Sequence, residues 1–165
     1  MKWRNPCTLG VAAALLLAGP LLCLAADPSP VTYPAGAAAF QANCAVCHGA
    51  KGTGQPSLAP PLTSYPARYA SIPEGRRQLA MTVLYGMFGD VVVEQKHYDF
   101  KMSEFPQLDD DTLAAVLNFV IFDIGHAGQD TTPLAANEIA AERSQPLDGT
   151  AVHTHRTAVL AALGL

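Results

Sequence analysis

Two thiols and an imidazole fall within one pentapeptide, Cys44-Ala45-Val46-Cys47-His48. Cys-x-x-Cys followed at once by His suits covalent attachment of a c-type haem. Each sulfur forms a thioether to the macrocycle, and the neighbouring imidazole reaches the iron from one face. Two other chemistries use such a pair. A disulfide between the cysteines is open to any exported chain. A dithiol redox motif normally sits at a strand-to-helix junction of an α/β fold. No strand pattern leads into Cys44, and His48 follows Cys47 directly, so haem attachment is the favoured reading.

The start of the chain bears on the compartment. Residues 1–26 have the layout of a secretory signal: Lys2 and Arg4, then an apolar run rich in Leu and Ala, then Ala25-Ala26 before Asp27-Pro28. The run is short for a membrane span and is broken by Gly19-Pro20. Lipid attachment at Cys23 is disfavoured by the bulky Leu22 before it. Removing this segment takes Cys7 and Cys23 away and leaves Cys44 and Cys47 as the mature thiols. It also takes the 10 basic side chains to 8 against 14 acidic ones, a net charge of −6. Such a balance excludes a nucleic-acid binder, which needs a basic face, and favours partners with basic or neutral surfaces. No second long apolar stretch follows, so no membrane span is expected in the mature chain, which is expected to be periplasmic.

Helical periodicity dominates what surrounds the motif. A helix is predicted over 33–46, entered through Thr32 and Pro34, with Ala37, Phe40 and Cys44 on one face. Residues 49–69 carry so many Gly and Pro that a loop is predicted. A second helix is expected from Pro73 to Tyr85, with Leu79, Ala80, Val83, Leu84 and Met87 as its apolar stripe and Gly86 at its end. Residues 89–107 read as irregular. The clearest helix spans 110–122: Asp109 is its N-cap, Asp110 and Asp111 complement its dipole, and Leu113, Val116, Leu117, Val120 and Ile121 form its buried face. Beyond it, Thr132-Pro133 opens a helix near 133–143, and Val152, Val159, Leu160 and Leu163 share a face of another. The class is all-α, with one haem motif and no internal repeat.

In this frame the chain resembles the class I cytochromes c, small monohaem electron carriers. The resemblance rests on residues 36–49 (GAAAFQANCAVCHG), Ala59-Pro60-Pro61-Leu62, Val83-Leu84-Tyr85-Gly86 and 101–120 (KMSEFPQLDDDTLAAVLNFV). It implies a haem-wrapping fold of helices and long loops over 27–123, with 124–165 as a helical C-terminal extension. It also implies one covalent haem c with iron, attached at Cys44 and Cys47. The metal ligands would be His48 and, from the loop before the last core helix, Met102. A proline-loop carbonyl orients the histidine in that family, and Pro60 is the matching position. Gly36 and Phe40 match first-helix positions that pack on an aromatic of the last helix, here Phe119.

A physical case for Met102 stands beside the resemblance. A thioether is a soft, neutral ligand that raises the potential of the iron, and Met102 lies in backbone able to cover a second haem face. Met81 lies within the second helix and Met87 continues its apolar stripe, where methionine usually fills core. His97 is a nearer rival, and an open iron site is the remaining alternative. Haem carboxylates need donors, and Tyr65, Tyr69, Tyr85, Tyr98, Arg68, Arg76 and Lys101 are the candidates. Tyr98 and Arg68 head that list.

The function expected is single-electron transfer between a donor dehydrogenase or respiratory complex and an acceptor such as a terminal oxidase or another cytochrome. No catalysis of its own is expected. The chain works either as a free carrier or as a dehydrogenase subunit, with the apolar face of the tail as a docking surface or as self-packing. The alternative is a haem enzyme, or a gas or redox sensor, with an open or displaceable sixth iron position.

Overall fold

Pro34 in its first turn starts α1 (Pro34–Asn43), where a missing N–H costs nothing. The computed structural model describes residues 31–165, so the signal segment read at 1–26 lies outside the described residues. The single helix expected over 33–46 is interrupted at Cys44, and the chain resumes as α2 (Ala45–His48), closed by Gly49. No side chain of its own caps α1. Asp123, far along the chain, does so instead, accepting the Thr32 and Tyr33 N–H groups at 2.7 and 3.0 Å.

The stretch 49–69, expected as pure loop, holds one short helix, α3 (Tyr65–Tyr69), because Pro66 falls in its first turn, where proline is tolerated. The next helix, α4 (Pro73–Tyr85), has the predicted bounds and ends at Gly86 with φ 70°. After it comes a hairpin in a region expected to be irregular: β1 (Val91–Val93) pairs antiparallel with β2 (Lys96–Tyr98), with Val92 opposite His97. Its turn residues, Glu94 and Gln95, both have positive φ, at 50° and 64°. Tight hairpin turns usually signal that geometry with Asn or Gly, so this one carried no mark in the sequence.

Asp109 accepts the Thr112 N–H at 2.7 Å and caps α5 (Asp110–Asn118) as expected. The helix does not stay regular to residue 122. It widens into a π-helical turn, Phe119–Ile124, in which the Gly125 N–H reaches the Val120 carbonyl at 2.9 Å. In the tail, α6 (Ala136–Arg143) begins later than the Thr132-Pro133 pair suggested. The Thr132 and Pro133 carbonyls are turned instead toward Arg76, at 2.6 and 3.0 Å, and the buried Asn118 amide pairs with both backbone groups of Leu134. The last helix, α7 (Gly149–Leu163), is capped by Asp148, which accepts two backbone N–H groups at 2.8 Å.

The class is all-α, with the small hairpin as an accessory. Helix α5 stands between two apolar clusters. Leu113, Ala114, Leu117 and Ile121 face α3, α4, α6 and α7. Val116, Phe119, Val120 and Ile124 face Phe40 of α1. Val152 and Val159 are wholly buried and α7 lies on α4, so these two members of the tail's apolar stripe are covered within the chain itself. Ion pairs bind the tail to the preceding helices: Arg76 to Glu138, Arg77 to Glu142 and Asp110 to Arg143.

The α1–α5 crossing is close because Gly36 has no side chain. A methyl group there would meet the Ala115 carbonyl and, at 2.9 Å, Phe119 Cβ. Phe40 and Phe119 then pack with ring centroids 5.4 Å apart, as their positions suggested. Gly36→Ala should destabilise the protein by about 1–3 kcal/mol, the usual cost of overpacking. Denaturant unfolding checks this, and an unchanged midpoint would mean that the crossing is not tight.

Candidate functional site

One cavity of about 300 Å³ is bounded by elements from the whole length of the described chain. Cys44, Cys47 and His48 border it from α1–α2, Pro60 from the following loop, and Tyr65 and Tyr69 from α3. Leu79 and Val83 come from α4, Val91, Val93 and Tyr98 from the hairpin, Met102 from the loop beyond, and Val116, Leu117 and Val120 from the α5 region. The five site residues singled out in the sequence (Cys44, Cys47, His48, Pro60 and Met102) thus border one space.

Backbone geometry fixes the motif. The His48 N–H donates to the Cys44 carbonyl at 3.0 Å, so α2 forms a single turn carrying Cys47 and His48. The Gln55 side-chain amide donates to the carbonyls of Val46 and Cys47, at 2.7 and 2.9 Å, and covers the end of that turn. Both cysteines are half-buried free thiols, and no disulfide joins them. Burial, reinforced by Cys47, pushes the Cys44 thiol up to about 11. A redox-active dithiol needs the opposite, a thiol whose pKa is lowered. That environment suits the dithiol reading poorly.

His48 is buried, and its Nδ1 lies 3.0 Å from the Pro60 carbonyl oxygen. A carbonyl only accepts, so Nδ1 carries the hydrogen and Nε2 keeps its lone pair. Burial holds the imidazole below its usual range, partly offset by the Pro60 bond, and so favours the neutral ring that a metal needs.

Two methionines reach the cavity together. Met87 and Met102 exchange backbone hydrogen bonds at 3.0 and 3.3 Å in an isolated β-bridge. The Met87 sulfur lies 3.9 Å from the buried Gln78 amide nitrogen, which can donate to it. Met81 is in the core and does not border the cavity. His97 is on the outward side of β2, 70% exposed, with its Nδ1 2.7 Å from Asp90. Gly86 permits the bridge, since a Cβ at its positive φ would run into the Met102 carbonyl.

The expected carboxylate donors divide. Tyr65, Tyr69, Tyr98 and Lys101 border the cavity. Arg68 does not, donating instead to the Leu163 carbonyl at 3.2 Å. Arg76 is paired with Glu138, and the Tyr85 hydroxyl donates to the Glu142 carbonyl. Absent from the expected donors is Arg156, which lines the cavity from α7. It lies four residues after Val152, on the stripe assigned to packing, and a helical pattern gives no hint that one of its members is a buried cation.

The Cytochrome c family model matches residues 34–121. A cytochrome c-552 of Thermus thermophilus is 34% identical over 136 residues, covering 81% of this chain and 86% of that protein. Another cytochrome c-552 of the same species is 36% identical over 112 residues, covering 67% and 86%.

The chain belongs to the cytochrome c family.

It has the all-α class I cytochrome c fold, its cofactor is covalent haem c with iron, and it is an electron carrier served by redox partner proteins. The cavity suits that group independently of the family. Its walls are largely apolar, two thiols and a neutral imidazole stand at one side, and a buried Tyr69 hydroxyl has no hydrogen-bond partner. No helix among the described residues is long and apolar enough to cross a membrane.

Gly86→Ala should part the Met87–Met102 bridge at a cost of about 1–3 kcal/mol, typical for backbone strain at a non-glycine residue. Amide hydrogen exchange reads the result as lost protection at Met87 and Met102. Retained protection would show that the close approach tolerates a methyl group.

Proposed function

We propose that this cytochrome c carries single electrons in the periplasm, after export by its first 26 residues. Its donor is a dehydrogenase or respiratory complex and its acceptor a terminal oxidase or another cytochrome. Cys44 and Cys47 would hold the haem through thioethers, and His48 and Met102 would bind its iron. Pro60 holds the His48 ring. The observation that carries this reading is the meeting of all five residues at one apolar cavity.

Haem c supplies a one-electron iron couple when bound. The protein's part is to choose ligands, exclude water and leave a route for the electron. His48 presents Nε2 because Pro60 takes the Nδ1 hydrogen. Met102 is favoured over Met87 because the Met87 sulfur already has Gln78 beside it. A His/Met pair would give a higher potential than two imidazoles, and Met102 held there would keep small ligands out. Val46 and Phe100 border the cavity and are 76% and 63% exposed, which gives its mouth an apolar rim where a partner can approach the haem edge. With Val152 and Val159 turned inward, the tail no longer argues for a dedicated enzyme subunit, and a free carrier is the reading favoured.

Met102→Ala should lower the potential, abolish the weak sulfur-to-iron charge-transfer absorption at the red end of the spectrum, and let carbon monoxide bind the ferrous protein rapidly. Persistence of that absorption band would sink the assignment. Wild-type protein should retain its pigment through denaturation and solvent extraction, with a mass raised by one macrocycle. Cys44→Ser with Cys47→Ser should release the pigment. Free extraction of pigment from the wild type would exclude thioether attachment.

A further inference from the structure

The tail beyond residue 121, outside the stretch matched by the family model, sends one cation into the cavity wall. Arg156 sits midway along α7 and is only 7% exposed. Among the described residues it has no carboxylate partner, and a terminal nitrogen donates to the Val92 carbonyl at 3.2 Å. A guanidinium offers five donors and keeps its charge at any working pH. Burying such a charge without an anion costs several kcal/mol, so a bare arginine here makes sense only if an anion joins it.

The neighbours are of the same kind. Arg156 lies over the Tyr65 ring, with its guanidinium carbon 6.0 Å from the centroid, and the Tyr65 and Tyr69 rings pack tilted with centroids 6.1 Å apart. The Tyr69 hydroxyl is buried and its hydrogen has no acceptor. Burial pushes this phenol up, while the Arg156 guanidinium beside it, as a charge and as a donor to its oxygen, draws it back, so the two groups stand at one spot. No Asp or Glu borders the cavity, so the chain itself provides no anion there.

We infer that Arg156 and the Tyr69 hydroxyl form a carboxylate subsite through which the C-terminal extension grips a haem propionate. The inference rests on the haem reading above. Haem c carries its propionates on the half of the ring opposite its two thioether positions. In this chain the thiols belong to α1–α2, whereas the unsatisfied donors belong to α3 and α7. A guanidinium pairs with a carboxylate through two parallel hydrogen bonds, and a phenol can add a third. Helix α7 is thereby tied to the cofactor as well as to α4.

The test is the midpoint potential of the purified holoprotein at one pH and ionic strength, with covalent haem confirmed by mass. In Arg156→Met the propionate charge loses its counter-ion and favours ferric iron. The oxidised-to-reduced ratio at fixed ambient potential should rise about tenfold, equal to 59 mV for a one-electron couple. Arg156→Lys should restore most of the shift, and Tyr69→Phe should move it the same way by less. Arg68→Met removes a cation that lies outside the cavity and should leave the potential where it was. An unchanged potential in Arg156→Met, with only its thermal midpoint altered, would reduce Arg156 to a strut beneath the hairpin and overturn the inference. If Arg156→Met fails to hold haem, Arg156→Lys and Tyr69→Phe decide by the same measurement. Wild-type protein lacking the added macrocycle mass would overturn the haem reading itself, a result distinct from an unmoved potential in a haem-bearing variant.

Discussion

Everything around the cavity depends on how closely α1 can lie across α5. Gly36 lets the two backbones meet, Phe40 and Phe119 lock the crossing, and the chain leaving α1 delivers Cys44, Cys47 and His48 to one side of the apolar space. The loop that follows then meets the ring by its own bonds: the Gly54 N–H donates to the His48 carbonyl at 2.8 Å and Gln55 pairs with Ala59, which leaves the Pro60 carbonyl 3.0 Å from His48 Nδ1. Asp123 adds to the same constraint by capping α1 from the far end of the π-helical turn.

Residues with strong local signals were legible in the sequence. The motif needs only five consecutive residues, Asp109 announces its helix by its own chemistry, and Pro73 and Gly86 bracket α4. Features set by distant partners were not. The late start of α6 comes from contacts that cross the fold: carbonyls expected to begin a helix serve Arg76 from another element. The hairpin escaped because Glu94 and Gln95 adopt a turn for which their side chains have no preference. Helix α3 escaped because a proline-rich stretch looks the same whether or not one proline occupies a first turn.

The site showed the same division. Cysteine, histidine, proline and methionine were found through motif and resemblance, yet the donor list erred wherever sequence neighbourhood stood in for geometry. Arg68 heads the expected donors yet lies outside the cavity, while Arg156 sits unmarked among the tail's apolar residues. A one-dimensional stripe records which way a helix faces. It does not record that its neighbour on the other side is a cavity rather than a packed core. The extension is therefore part of the cavity wall, not an appendage beside it.

The reach of Asp123 back to Thr32 and Tyr33 also orders events in time. These residues are 91 and 90 positions apart, and the other partners of α1 lie mainly in α5 and the turn that follows it. A chain delivered amino end first must expose its first helix, with Cys44 and Cys47 beside it, until Phe119 and Asp123 have emerged. Delivery at about 5–20 residues per second is slow compared with forming a helix. The two sulfurs are thereby left open to a modifying partner for the interval before the crossing is made.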